Sequence, residues 1–409
     1  MKILRINKYF FIKGGAENSF FATAELIKKN GHQDIPFSMK DRRNFSSPYE
    51  KYFVSNVDYE RKGIGYQISN VLKIFYSFEA KHNLDRLIRD IKPDLVHLHN
   101  IYHQISPSVL HVIKKYRLPV VMTLHDYKII CGSCLMFANG QLCEACYGGR
   151  YYQCFFKGCV KDSRIKSLIT TVEMYLHHNL LHIYDLVDIF ISPSRFLKEK
   201  AEVMGFKPKI VYLSNFINTE AFVPCFDFYE KTICYVGRLA KEKGISTLIN
   251  AVKGLDLTLK IIGDGPLRES LELEVKSLES KNVEFLGYKS GNELKDEIRQ
   301  SMFTVIPSEW YENNPRSVME TFALGKPVIG ARIGGIPELV KDNVTGLIFE
   351  PGNVNDLREK IYYLASHPEL IREMGRNARK FVEEELNEEK HYQGLMKIYQ
   401  YAIEKNKKK

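Results

Sequence analysis

The sequence predicts an α/β protein built as two lobes, and three observations carry that prediction. Its 409 residues are more than one hydrophobic core comfortably serves. Short β-branched or apolar runs alternate with amphipathic helical stretches through most of the chain, the pattern of parallel sheets covered by helices. The same series then begins again past the middle of the chain, at Thr232.

Taken in order, the first series places strands over 2–7, 95–98, 120–124 and 189–192. Each ends near residues able to face a ligand, and open parallel sheets bind ligands at the carboxyl ends of their strands. A second series follows over 232–236, 258–262, 283–286, 303–307 and 327–330. Between them, 215–229 carries Pro and Asn with few periodic apolar positions, so the hinge is expected there. The boundaries are a first lobe over 1–218, a second over 219–388 and a closing amphipathic helix over 389–409 that crosses back to the first lobe, its Lys-rich tail frayed.

Composition bounds the class. With 44% hydrophobic and 26% charged residues the chain is globular, and no stretch approaches the roughly 18 uncharged apolar residues of a membrane span. Residues Met1 to Asn7 lack the long apolar region and small-residue cleavage site of a signal peptide, so a cytoplasmic location is expected. Residues 1–218 hold 31 Lys+Arg against 19 Asp+Glu, a surplus of 12, whereas 219–409 hold 28 against 30. Such a basic half suits an anionic partner: a phosphorylated acceptor, nucleic acid, or acidic lipid at the inner face of a membrane. An ordinary solvated surface would carry the same charge.

Six of the eight cysteines, Cys131, Cys134, Cys143, Cys146, Cys154 and Cys159, fall in one insertion near 131–160. Without a signal peptide a metal site or reduced thiols is the expectation, not disulfides. The spacing of Cys131, Cys143, Cys146 and Cys159 suits a closed tetrahedral zinc site of structural role.

In the second half, Arg238, Lys241 and Lys243 follow a strand and precede a helix beginning near Ser246, where cations and free backbone N–H groups favour a phosphate. Further on, Pro315 sits where the first position of a helix would be, leaving free N–H groups near Asn314 to Ser317. Glu312 precedes that turn and Glu320 lies inside the helix, on the order of 10 Å away at the helical rise, so each carboxylate reaches a different diol of an extended ligand.

These segments resemble, in order, the motifs of family 4 retaining glycosyltransferases of the GT-B fold. The residues are Gly-Arg-Leu-x-x-Glu-Lys-Gly at 237–244, Ile-Gly-Asp-Gly-Pro-Leu at 262–267, Val-Glu-Phe-Leu-Gly-Tyr at 283–288, the two glutamates, and Gly-Gly-Ile-Pro-Glu at 334–338. The resemblance implies two facing Rossmann-like lobes with the active site in the cleft. It implies that Arg238 and Lys243 bind the diphosphate of a nucleotide-diphosphate sugar, Glu312 contacts the sugar, and Glu320 grips the ribose. Backbone near Asn313, Asn314 and Pro315 borders the sugar and phosphate. Many relatives have glycine where Asn313 stands.

In the first half, Gly14 and Gly15 resemble the glycine loop such enzymes set beside the donor, and His125 resembles their histidine near the reaction centre, with Asp126 beside it. His97, His99, Asn100 and His103 are candidates for the acceptor pocket, where a glycan or lipid-linked acceptor is expected. No Asp-x-Asp motif is present to hold a catalytic metal, the two cations taking its role. A nicotinamide dehydrogenase lacks support because no Gly-x-Gly-x-x-Gly follows the first strand. A zinc-containing nucleic-acid-binding protein would account for the basic half and the cysteines but not for the ordered donor motifs.

Overall fold

The computed structural model describes residues 1–56, 72–103, 105–228 and 230–408. Tyr229 of the expected hinge and Lys409 of the closing helix lie outside them. Fourteen strands are found among the described residues. The first lobe holds β1 (Lys2–Ile6), β2 (Gln33–Phe37), β3 (Leu95–Leu98), β4 (Val120–Thr123), a short antiparallel hairpin of β5 (Phe137–Ala138) and β6 (Gln141–Leu142), then β7 (Ile189–Ser192) and β8 (Ile210–Tyr212). Six of these form a parallel sheet in the order β2-β1-β3-β4-β7-β8. The second lobe repeats the plan with β9 (Thr232–Val236), β10 (Thr258–Ile262), β11 (Val283–Gly287), β12 (Phe303–Ile306), β13 (Val328–Ala331) and β14 (Gly346–Phe349), in the order β11-β10-β9-β12-β13-β14.

Most of the strands anticipated from sequence are central, as expected for strands buried on both faces. Three that escaped notice, β2, β8 and β14, are edge strands. β2 carries Pro36, which an edge tolerates because it has no N–H to give a second neighbour. Expected boundaries at 2–7, 120–124 and 303–307 each run one residue past the observed strand.

Each lobe has its own apolar core, one around Leu4, Val96, Met122 and Phe190, the other around Ile233, Leu259, Val305 and Ile329. The closing helix, Glu388–Lys407, lies against the first sheet. Its Leu395, Ile398, Tyr399 and Ala402 are buried with Ile3, Leu95, Val121 and Ile189 of β1, β3, β4 and β7. Lys405 Nζ donates to the Asp188 carbonyl at 2.8 Å, and the helix continues to Lys407. One face of the first sheet is thus covered by the far end of the chain.

Candidate active site

The carboxyl ends of the two sheets face one another. After β12, the segment Pro307 to Pro315 runs along the second lobe's side of the cleft, and the helix Arg316–Ala323 leaves it. Pro315 caps that helix instead of opening it, with φ −67 and ψ 115, extended backbone that a residue inside the helix could not adopt. No side chain caps the helix, so the N–H groups of Arg316 and Ser317 remain open to another acceptor, while Val318 N–H donates to the Pro315 carbonyl.

Glu312 is 7% exposed. Its Oε1 accepts from Lys243 Nζ at 2.6 Å and from Ser308 Oγ at 2.7 Å. Burial alone would raise its pKa, but the Lys243 cation and these hydrogen bonds outweigh burial and hold the carboxyl below its ordinary value. Lys243 ends a single 3-10 turn, Lys241–Lys243, closed by Gly244 at φ 65. A Cβ on Gly244 would lie 2.0 Å from the Pro307 carbonyl, so only glycine brings this basic turn against the loop that carries Glu312. Arg238 stands exposed between β9 and that turn, its carbonyl accepting from Tyr235 Oη at 2.9 Å. Glu320 is half-buried one helical turn beyond Arg316, whose Nε donates to Glu320 Oε1 at 2.8 Å.

The two asparagines after Glu312 reach the other lobe. Asn313 Nδ2 donates to the Leu124 carbonyl at 3.1 Å and its Oδ1 accepts from Ser194 Oγ at 2.7 Å. Asn314 Oδ1 accepts from Asn215 Nδ2 at 3.0 Å. Behind them, Cβ atoms on Gly334 and Gly335 would come within 2.3 Å of the Glu312 carbonyl and 1.8 Å of the Asn313 carbonyl. These glycines therefore press the Glu312–Asn313 backbone into the cleft. Glu338, from the same motif, accepts from Arg195 N–H and Phe196 N–H of the first lobe at 2.8 and 2.7 Å, the favoured place for a carboxylate at a helix start.

Opposite lies His125, just past β4 and next to the Leu124 carbonyl that Asn313 holds. Its Nε2 is 2.9 Å from His99 Nδ1, and the two rings stack with centroids 5.2 Å apart. Burial pushes His125 down to about 4, so its ring is neutral near pH 7. His97, its ring tilted against that of His99 with centroids 4.3 Å apart, is held by Tyr399 Oη at 2.7 Å and Thr123 Oγ1 at 2.8 Å. Together His97, His99 and His125 line a cavity with Asn215 and His391, alongside the apolar Ile191, Leu213 and Leu395. His103 turns elsewhere, to Glu173 Oε2 at 3.2 Å, and Asn100 takes its place in the loop through its backbone N–H to Asn7 Oδ1. Of the four expected to line one acceptor pocket, two therefore share a cavity with His125 and two do not. Asp126 is pushed up by burial, and its carboxylate accepts from Lys128 N–H at 2.9 Å.

Gly14 caps the helix Gly15–Lys29 in extended conformation, and a Cβ built on Gly15 would meet nothing within 4 Å, so open space lies over this turn. Ser308, Ser194, Tyr399 and His391 were not singled out from sequence. Ser308 reaches Glu312 from four residues away, whereas the other three reach the site only through partners distant in the chain.

The cysteines are all free. Five of them, Cys131, Cys143, Cys146, Cys154 and Cys159, line one cavity. A thiol donor set suits a soft ion such as zinc. Among the described residues, however, no three or more His, Cys, Asp or Glu side chains form a group that could hold a metal ion. The closed shell of Cys131, Cys143, Cys146 and Cys159 expected from spacing is not assembled by these side chains. Cys154, absent from that expectation, is in the cavity with them, and its thiol beside Cys159 lowers the Cys159 thiol from its ordinary value.

Two parallel-sheet lobes meeting at their strand ends, with cations and a buried carboxylate on one side and a neutral histidine on the other, define the class: a glycosyltransferase of the GT-B fold. Comparison with known proteins names the family. The family profile described as Glycosyltransferase Family 4 matches residues 13–221, and that described as Glycosyl transferases group 1 matches 222–381. The chain belongs to this family. It is 28% identical over 403 residues to an uncharacterized glycosyltransferase of Methanocaldococcus jannaschii, covering 98% of each. Its fold is similar to that of sucrose-phosphate synthase from Thermosynechococcus elongatus, with TM-score 0.72, 18% identity and 98% of both chains covered. An Anabaena protein crystallised with UDP-glucose aligns with TM-score 0.65 at 17% identity, over 97% of this chain and 99% of its own. No described helix is long and apolar enough to cross a membrane.

Proposed function

We propose that the enzyme takes a sugar from a nucleotide-diphosphate donor and passes it, with retention of anomeric configuration, to a glycan or lipid-linked acceptor such as a cell-surface polysaccharide precursor. The observation that carries this reading is the Lys243–Glu312 pair, with Arg238 exposed in the same loop and Asn313 bonded to the Leu124 carbonyl next to His125. A buried carboxylate and its cation at facing strand ends suit a ligand that brings both hydroxyls and phosphate. Arg238 and Lys243 would take the diphosphate and stabilise the charge that develops on it as the glycosidic bond breaks. Glu312, freed in part from Lys243, would accept hydrogen bonds from the sugar, and Glu320 from the ribose. The UDP-glucose complex of the Anabaena protein supports a nucleotide-sugar donor.

The second lobe, 219–388, then binds the donor and the first, 1–218, receives the acceptor. Gly14 and Gly15 leave room for a phosphate, and His125, neutral, would donate or accept a hydrogen bond at the sugar without adding charge. The acceptor oxygen attacks the anomeric carbon from the face the diphosphate leaves. The departing phosphate oxygen takes the acceptor's proton, and the two cations fill the role a divalent metal plays elsewhere.

The test is a pair of variants assayed for donor binding by calorimetry and for turnover. Glu320→Ala should weaken the donor at least about tenfold, while Glu312→Ala should mainly lower kcat. Wild-type donor affinity and turnover in both would refute the assignment, as would activity abolished by EDTA and restored by magnesium for the metal-free reading.

A further inference from the structure

The helix Arg164–Tyr175 is built inside out. Toward the protein it buries Ser167, Thr170, Thr171 and Glu173, with Met174 the one apolar residue among them. Toward solvent it presents Ile165, Leu168 and Val172, which are 74%, 47% and 48% exposed. Their spacing of three and four places them on one stripe. Most of the buried polar face is hydrogen-bonded: Glu173 Oε2 accepts from Lys128 Nζ at 2.8 Å, and Thr171 Oγ1 donates to the Ser167 carbonyl at 2.8 Å, while Glu173 Oε1 has no hydrogen-bond partner and lies 3.9 Å from His177 Nδ1. Ile165, Leu168 and Val172 each keep roughly half or more of their surface open to solvent.

Phe156, on the neighbouring helix Tyr152–Lys157, and Leu180, on the turn that follows, are 66% and 73% exposed. Scattered surface apolars need no explanation, but a helix whose apolar side is its outer side does.

The charge around the stripe says what covers it. Arg150, Lys157, Lys161, Arg164 and Lys166 are all exposed, and among the described residues none of the five makes an ion pair. The one exposed acid between them is Asp162. Apolar side chains rimmed by unpaired cations match a bilayer with anionic headgroups, where the chains enter the acyl boundary and the cations meet lipid phosphates.

We propose that the outer face of the helix Arg164–Tyr175 docks the first lobe on an anionic lipid bilayer. Its inner face would then pass that position to the cleft. Glu173, held at the helix's inner side, is tied to Lys128, three residues beyond His125, and to His103 at 3.2 Å. An acceptor carried by lipid would arrive on the side of the cleft where His125 stands. That last step rests on the function proposed above, whereas the docking itself does not.

The test uses the full chain and co-sedimentation with phosphatidylcholine vesicles, with and without phosphatidylglycerol. The wild type should partition at least about tenfold more strongly onto the anionic vesicles, and high salt should reduce that preference. Ile165→Asp with Leu168→Asp, and separately Lys161→Glu with Lys166→Glu, should each lose most of this binding. All four positions are exposed, so unchanged thermal unfolding and unchanged donor affinity should accompany the loss. Equal sedimentation of wild type with both vesicle types, or undiminished binding by the Ile165/Leu168 variant, would overturn the proposal. So would a wild-type dimer in analytical ultracentrifugation that the same variant dissolves, since a second copy would then be what covers the face. Vesicle binding without sugar-nucleotide binding would instead refute only the enzymatic reading.

Discussion

Replacing Lys243 with Met would leave Glu312 as a buried carboxylate without its cation. The two side chains are 20% and 10% exposed, and Nζ lies 2.6 Å from Oε1. Removing one partner of a fully buried pair costs about 3–5 kcal/mol. Here Ser308 still donates to the carboxylate and a fifth of Lys243 already meets solvent, so roughly 2–3 kcal/mol is expected. Glu312→Gln keeps an acceptor for Ser308 and leaves Lys243 free to turn toward water, so it should cost less, about 1–2 kcal/mol. The double variant should then lose less than the sum of the singles by about 1 kcal/mol or more.

The chain offers its own probe for this measurement. Its single tryptophan, Trp310, lies two residues before Glu312, with Lys243 Nζ 4.9 Å from its ring centroid. Urea unfolding followed by tryptophan fluorescence therefore reports on the lobe that holds the pair. Singles that unfold like the wild type, or a double whose loss equals the sum of the singles, would refute the claim that this pair is a coupled element of the site.

Three further outcomes follow from the same geometry. Gly335→Ala puts a Cβ 1.8 Å from the Asn313 carbonyl, so Asn313 must leave Leu124 and Ser194; kcat/KM should fall by about tenfold or more with the fold retained, and an unchanged value in steady-state assays would count against a positioning role. Tyr399→Ala should destabilise the protein by about 3–5 kcal/mol and Tyr399→Phe by about 1, because the ring fills the first lobe's core and its hydroxyl holds His97; equal losses in chemical denaturation would show that the hydrogen bond, not the ring, matters. Burial lowers His125 and His391 to about 4 from an ordinary value near 6.5, so between these limits the unfolded chain binds more protons than the folded one. Stability should therefore fall as pH drops from about 6.5 toward 4, and replacing both by Asn should flatten that slope.

Much of the site was legible because the second lobe's motifs are local. Arg238, Lys243, Glu312 and Glu320 lie within segments whose strand, turn and helix follow one another directly, with Arg238 and Lys243 after β9, Glu312 in the segment after β12 and Glu320 inside the helix beyond it. The first lobe was less legible. His97, His99, Asn100 and His103 sit within seven residues yet point to different partners: Tyr399, His125, the Asn7 loop and Glu173. The cysteine spacing named four residues, while the fold gathers five and arranges no ligand group from them among the described residues.

The sequence by itself determined the α/β class, the two series of strands and the order of the donor motifs, because apolar runs, helix periodicity and glycine turns are properties of neighbouring residues. Tertiary structure alone decided which carboxylate pairs with which cation, that Asn313 spans the cleft to Leu124, and that Tyr399 braces His97 from 302 positions away. It also decided that a helix with Ile165, Leu168 and Val172 would turn them outward. Amphipathicity in sequence gives two faces but not which one meets the core. That choice was made by Lys128, whose buried cation needed Glu173 on the inside, where His103 shares the same carboxylate oxygen.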